Sequence, residues 1–214
     1  EIRNCDWSSD VCSSDLVTKL GPLFPVKGYG SREVDQTSAR ALELSRTVGD
    51  NRTVFPTLYA RWAYQYILSN QKEMFDLSRE YLERAEAEGD DAGRIVGHRT
   101  HAVALLYRGE VEQARYHAGQ ALQLYIPEKH VPLVARFGQD IKVQAINYIA
   151  ISDALLGNID EAVAIGAEAI AHARALNHAN TLAYALWHIG VWLPSVIDRK
   201  STRLNSSHSS VSRM

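Results

Sequence analysis

The chain has 214 residues, a formal net charge of −2, 46% hydrophobic and 22% charged side chains. This is the composition of a globular domain or a short repeat array, without the basic excess that nucleic-acid binders direct at phosphates. No apolar run is long enough to span a bilayer, and Glu1 to Asp10 carry no secretory signal, so neither a nucleic-acid nor a membrane partner is expected.

Residues 1–16 (EIRNCDWSSDVCSSDL) have no hydrophobic period and contain both cysteines, Cys5 and Cys12. Residues 199–214 (RKSTRLNSSHSSVSRM) are equally aperiodic and rich in serine. Both strings resemble translated sequencing adapter, so each is expected to be a non-native or disordered tail. The remaining segment, 17–198, stays mildly acidic and holds no cysteine. That excludes a disulfide framework and a thiol nucleophile there, and it fits a cytoplasmic setting.

The first helix is predicted over 32–48, with Gly30 making a turn and Ser31 capping. Helices follow at about 53–69, 71–87, 92–108 and 110–124. In 92–108, Ile95, Ala102, Leu105 and Leu106 share one face. Residues 126–139 contain Pro127 and Pro132 and read as a long loop. Three more helices are predicted at about 140–156, 159–176 and 180–193. No stretch alternates with period two for long, so no sheet is expected.

Two patterns repeat along these helices. Gly49, Gly89, Gly138 and Asn177 each end a helix, where a left-handed residue is favoured, and an Asp or Asn that follows can cap the next. The unit is about forty residues, with an insertion in the third. The second pattern aligns Asn70, Gly109 and Gly157 as turn residues. On that alignment Phe75, Ala114 and Ala162, and then Leu82, Ala121 and Ala169, lie on the inner face of a second helix, where the first helix crosses closely. Antiparallel helix pairs of this kind bury their faces only by stacking, giving a tetratricopeptide-like (TPR-like) α-solenoid with no sheet over 17–198.

KGYGSREVDQ (27–36), ALELSRTVGD (41–50) and FGQD (137–140) carry a resemblance that extends over 17–193. This stretch resembles the helical repeat region of large bacterial signalling proteins, predicted ATPases often fused to a class III adenylate or guanylate cyclase domain. The resemblance implies a fragment of a multidomain chain. The family's nucleotide and metal residues belong to domains absent from this sequence, so none is carried over.

Motifs for chemistry are sparse. Lys27-Gly28-Tyr29-Gly30-Ser31 has the wrong order for a phosphate loop, and no strand precedes it. His98 and His101 can share a helix face, but a catalytic zinc wants a third ligand and no HExxH is present. His117, His130, His172, His178 and His188 are scattered and read as surface or partly buried imidazoles. No nucleophile elbow occurs, and the paired carboxylates Glu86/Glu88 and Asp90/Asp91 sit at helix ends as solvated charges or caps. No cofactor, metal site or catalytic activity is expected.

The expected function is a protein–protein or interdomain scaffold of a signalling ATPase or cyclase. The alternatives are the sensor arm of a transcriptional regulator and a nucleotide- or metal-binding enzyme fragment. Tyr59, Trp62 and Tyr66 follow the spacing of a buried stripe, which leaves Tyr64 as the surface aromatic. If the first helix of each pair lines a concave groove, the groove positions are Tyr64, Arg99, Val103, Tyr107, Gln144 and Asn147, facing a peptide or a neighbouring domain. The helix 180–193 is apolar nearly all round, which predicts self-association through it.

Overall fold

The computed structural model describes residues 30–49 and 51–199. Almost all of residues 1–16 and 199–214 therefore lie outside the described residues. The described chain is all-α, with no strand. It falls into two compact units that divide between Gly93 and Arg94.

The first unit is built from α1 (Arg32–Val48), α2 (Asn51–Ile67) and α3 (Gln71–Glu88). Ser31 starts α1 by accepting a hydrogen bond from the Val34 N–H at 3.2 Å. Gly49 and Gly89 end α1 and α3 in the left-handed region, with φ of 76° and 66°. Helix α2 packs against both α1 and α3. Val34, Val54, Leu58 and Met74 are fully buried. Arg61 of α2 reaches both neighbours, pairing with Asp35 of α1 and, at 3.2 Å, with Glu73 of α3.

The turn between α2 and α3 departs from the expected alignment. The left-handed residue there is Ser69, with φ of 55°, and Asn70 is the N-cap, accepting from the Glu73 N–H at 3.4 Å. Asn70 is therefore the counterpart of the caps Glu110 and Asn158, and the first hairpin shifts by one residue. The inward positions become Met74, Ser78, Tyr81 and Ala85, all buried, whereas Phe75 and Leu82 are half-buried. A small polar residue can occupy the left-handed region at modest cost, so this turn does without glycine.

The second unit begins inside α4 (Asp91–Tyr107) and continues through α5 (Val111–Leu124). The segment expected as a loop is mostly helical in short pieces: α6 (Pro127–His130), a 3₁₀ turn (Val131–Leu133) and α7 (Val134–Phe137). Pro127 and Pro132 each occupy a helix start, where a missing N–H is tolerated. His130 is buried and accepts the Ile126 N–H on Nδ1 at 2.8 Å. Helices α8 (Ile141–Leu156), α9 (Ile159–Ala175) and α10 (Ala179–Trp187) follow. The chain then makes a π-helical turn, His188–Trp192, and stays helical over 193–199.

That last helix runs past its expected end at 193, carried through Pro194. The wide turn precedes the one residue that has no N–H to donate. Beyond it, Val196 and Ile197 pack on the cluster of Ala150, Ala154, Ala162 and Leu193. Small residues set these crossings. Ala162, Gly166, Ala169 and Ala173 form the buried stripe of α9, and a Cβ on Gly166 would stand 2.9 Å from Ile189 Cγ2. The matching stripe of α5 is Ala114, Ala118 and Ala121.

Asp140, fully buried, joins three segments of this unit. Its Oδ1 caps α8 by accepting the Val143 N–H at 2.9 Å. Its Oδ2 accepts the Tyr125 hydroxyl from beyond α5 at 2.6 Å. Its own N–H donates to Thr181 Oγ1 of α10 at 3.0 Å. Burial, reinforced by the bond to this carboxylate, pushes the Tyr125 hydroxyl pKa well above its ordinary value. Asp140→Ala removes a cap and strands the Tyr125 hydroxyl in the core. It is expected to lower unfolding free energy by about 2–4 kcal/mol in urea melts, with Tyr125→Phe costing about 1–2 kcal/mol.

Candidate partner-binding site

Helix α8 is buried at every position from Val143 to Ala154. An all-round buried helix ordinarily carries apolar residues only, yet this one includes Gln144, Asn147, Ser152 and Asp153. Asp153 is answered from both sides: Arg115 of α5 donates at 2.5 Å and Asn158 at 3.3 Å. Gln144 donates to Gln139 Oε1 at 2.8 Å, while its own Oε1 has no hydrogen-bond partner among the described residues. Asn147 is 0% exposed, and neither Oδ1 nor Nδ2 has a partner among the described residues. The same holds for Ser152 Oγ. Gln144, Asn147 and Tyr148 are three and four residues apart and share one side of the helix.

Beside that row lies a bank of rings. The hydroxyls of Tyr148 and Tyr184 are 2.9 Å apart. His188 lies tilted 4.0 Å from Tyr184 and edge-on 5.6 Å from Tyr148, centroid to centroid. Trp192 lies 6.3 Å from both Tyr148 and Tyr107, edge-on to each. His188 Nδ1 sits 2.8 Å from the Tyr184 carbonyl, an acceptor, so Nδ1 carries the hydrogen and Nε2 the lone pair. That Nε2 is buried without a partner among the described residues, and burial holds the ring's pKa below its ordinary value. The bank is thus a neutral aromatic surface with acceptor atoms set into it.

Of the six positions expected to line a groove, Arg99, Val103, Gln144 and Asn147 are buried and Tyr107 is half-buried, all in the second unit. Tyr64 belongs to the first unit, half-buried under the Arg61 guanidinium at 5.3 Å. Of its stripe, Tyr59 and Trp62 are buried as expected, whereas Tyr66 is half-buried like Tyr64. Tyr148, Tyr184, His188 and Trp192 were missed as site residues. Their signal was present as Tyr, His and Trp four apart on one helix face, at 184, 188 and 192, but it was hidden in a segment apolar on every side.

The histidines are less scattered than their sequence positions suggest. His98 and His117 meet Nδ1 to Nδ1 at 2.9 Å across the α4–α5 hairpin, and His101 packs edge-on to His117 at 4.9 Å. His130 and His188 are buried rather than superficial. Among the described residues, no group of three or more His, Cys, Asp or Glu side chains is arranged to hold a metal ion. In the first unit, a cleft of about 700 Å³ is lined by Arg46, Arg61, Arg79 and five carboxylates. Arg46 pairs with Glu80, Arg61 with Asp35 and Glu73, and Arg79 with Asp76 and Glu83, so each of its cations is already paired with carboxylates. Burial raises the pKa of Glu80, but Arg46 and Arg84 outweigh it and hold the carboxyl below its ordinary value.

No protein-family model matches the chain, and no match is found among curated proteins. No helix among the described residues is long and apolar enough to cross a membrane.

The histidine contact makes the second unit acid-sensitive. Burial, and then the neighbouring His98, push the His117 pKa down from 6.5 to about 4. The unfolded chain takes up this proton near 6.5 and the folded chain only near 4, so stability falls through that window and levels off below it. Allowing for the partial exposure of the ring, the loss is about 1–2 kcal/mol. Thermal melts from pH 7 to pH 4 are expected to show it, and His117→Gln is expected to remove that component.

Proposed function

We propose that the second unit is a partner-binding module without catalysis of its own, serving as the helical scaffold of a larger signalling protein. The observation that carries this reading is the buried amide of Asn147, unpartnered among the described residues. Leaving a buried amide unsatisfied costs about 1–3 kcal/mol, and an apolar residue of similar shape would avoid that cost. An amide with both a free donor and a free acceptor matches the donor and acceptor of one peptide group. The occupant is therefore an extended main chain, with its apolar side chains against Tyr107, Tyr148 and Trp192. Tyr107 and Trp192 are half-buried, so the occupant would enter past them. Neutral acceptors and aromatic faces, with His188 uncharged, favour an unphosphorylated segment. The resemblance of residues 17–193 to repeat regions of ATPase and cyclase proteins supports an interdomain or regulatory role of the same kind.

The test is selection of peptides from an unbiased displayed library on the intact chain, followed by titration of the selected peptides. Asn147→Leu is expected to leave the melting temperature unchanged or higher while weakening the peptides by at least about tenfold. Retained affinity, or a library that yields no binder, overturns the reading. Calorimetric titrations with ATP and with zinc are expected to show no binding heat; submicromolar binding of either would replace this proposal with an enzymatic one.

A further inference from the structure

The ring of His188 is 2% exposed and is held by its own helix. Nδ1 gives its hydrogen to the Tyr184 carbonyl at 2.8 Å, so Nε2, on the far side of the ring, points away from that helical backbone. Tyr148 at 5.6 Å and Trp192 at 5.5 Å flank the ring, centroid to centroid. Nε2 is thus a buried acceptor walled by aromatic rings, and it has no partner among the described residues. No Asp, Glu, Lys or Arg occurs from Ala179 to Ile197. Burial lowers the ring's pKa, and no neighbouring charge contributes to the shift.

An acceptor in such surroundings discriminates by chemistry. Carboxylates and phosphate esters offer acceptor oxygens only and meet its lone pair with their own. An ammonium or guanidinium can donate, but its charge would lose water with no acidic residue on this stretch to answer it. An aliphatic group leaves Nε2 unsatisfied. A neutral hydroxyl or primary amide satisfies it at the least cost. The two helical segments say which part of an occupant supplies that group. Gln144 Oε1 and the Asn147 amide, also unpartnered among the described residues, lie along α8, whereas His188 belongs to the neighbouring segment. A main chain that spends its own donors and acceptors along α8 has side chains left to reach sideways. We infer that His188 determines the specificity of the partner-binding site, its Nε2 accepting a hydrogen bond from an uncharged Ser, Thr, Asn or Gln side chain of the bound segment. This rests on the reading of Asn147 as the main-chain anchor, to which His188 adds a side-chain preference.

The test uses the peptides that the intact chain selects from a displayed library, titrated against the wild type and His188→Phe. Phenylalanine keeps a ring in the aromatic bank and removes Nε2. The Tyr184 carbonyl retains the main-chain N–H of His188 as a donor, so the variant is expected to melt no lower than the wild type. Selected peptides are expected to share one hydroxyl or amide residue among apolar ones. Replacing it by alanine is expected to weaken binding to the wild type by at least about tenfold, and binding to His188→Phe by less than about twofold. In nitrogen NMR of the wild type, the His188 Nε2 resonance is expected to move upfield with the selected peptide and not with its alanine form. Peptides that depend on Asn147 but share no such residue, or that lose affinity equally on both chains, overturn the role of His188 and leave the Asn147 reading in place. So does an Nε2 resonance that the peptides do not move, as when an internal water alone holds the nitrogen. Binding indifferent to Asn147→Leu, or a library without a binder, overturns that reading and this one with it.

Discussion

The second unit depends on one buried carboxylate. Asp140 precedes the most buried helix among the described residues and holds it from three directions: its own first turn, Tyr125 and Thr181. Each contact answers a group that would otherwise be stranded in a dry interior. The carboxylate needs donors to offset the cost of burial, and the N-terminal amides of α8 need an acceptor. One side chain meets both needs and fixes where α8 starts relative to its neighbours. The rotational setting of Gln144, Asn147 and Tyr148 follows from that start.

Around this anchor, backbone approach is set by small residues. The inner stripe of α5 is alanine at 114, 118 and 121, and that of α9 is alanine at 162, 169 and 173 with glycine at 166. Such stripes let the paired helix come close enough for dispersion contacts along its length. Left-handed residues at the ends of α1, α3, α5's predecessor and α8 reverse the chain in two or three residues, which keeps consecutive helices adjacent. In the first unit the same inner positions carry Met74 and Tyr81, so volume is filled by large side chains where the second unit uses close backbones.

The polar content of α8 runs against its burial. Asp153 is compensated by Arg115, which is the ordinary condition for keeping a charge inside. Asn147 and Ser152 are not compensated among the described residues. A core selected for stability alone would have replaced them. Sites that conflict with local rules are where function and stability diverge, and here the conflict sits beside a helix bank that brings two tyrosines, a histidine and a tryptophan together.

The sequence by itself determined the long helices and most of the turns between them, but not the short helical pieces of 127–137 or the continuation of the last helix past 193. Hydrophobic period and helix-ending Gly or Asn are local signals, written within a few residues of what they control. Gly49, Gly89, Gly138 and Asn177 are all left-handed, and Ser31 and Asp140 cap as their positions require. Where a local signal was ambiguous, as at Ser69-Asn70, the register slipped by one residue and moved the inner face from Phe75 to Met74. Only the tertiary structure decided which residues meet. His98 with His117, Tyr125 with Asp140, and Tyr107 with Trp192 are contacts across helices, separated by chain whose length says nothing about side-chain direction. It also decided what is buried: Gln144 and Asn147 look polar and accessible in sequence, but burial depends on how many neighbours surround a helix, and α8 packs against α5, α9 and α10.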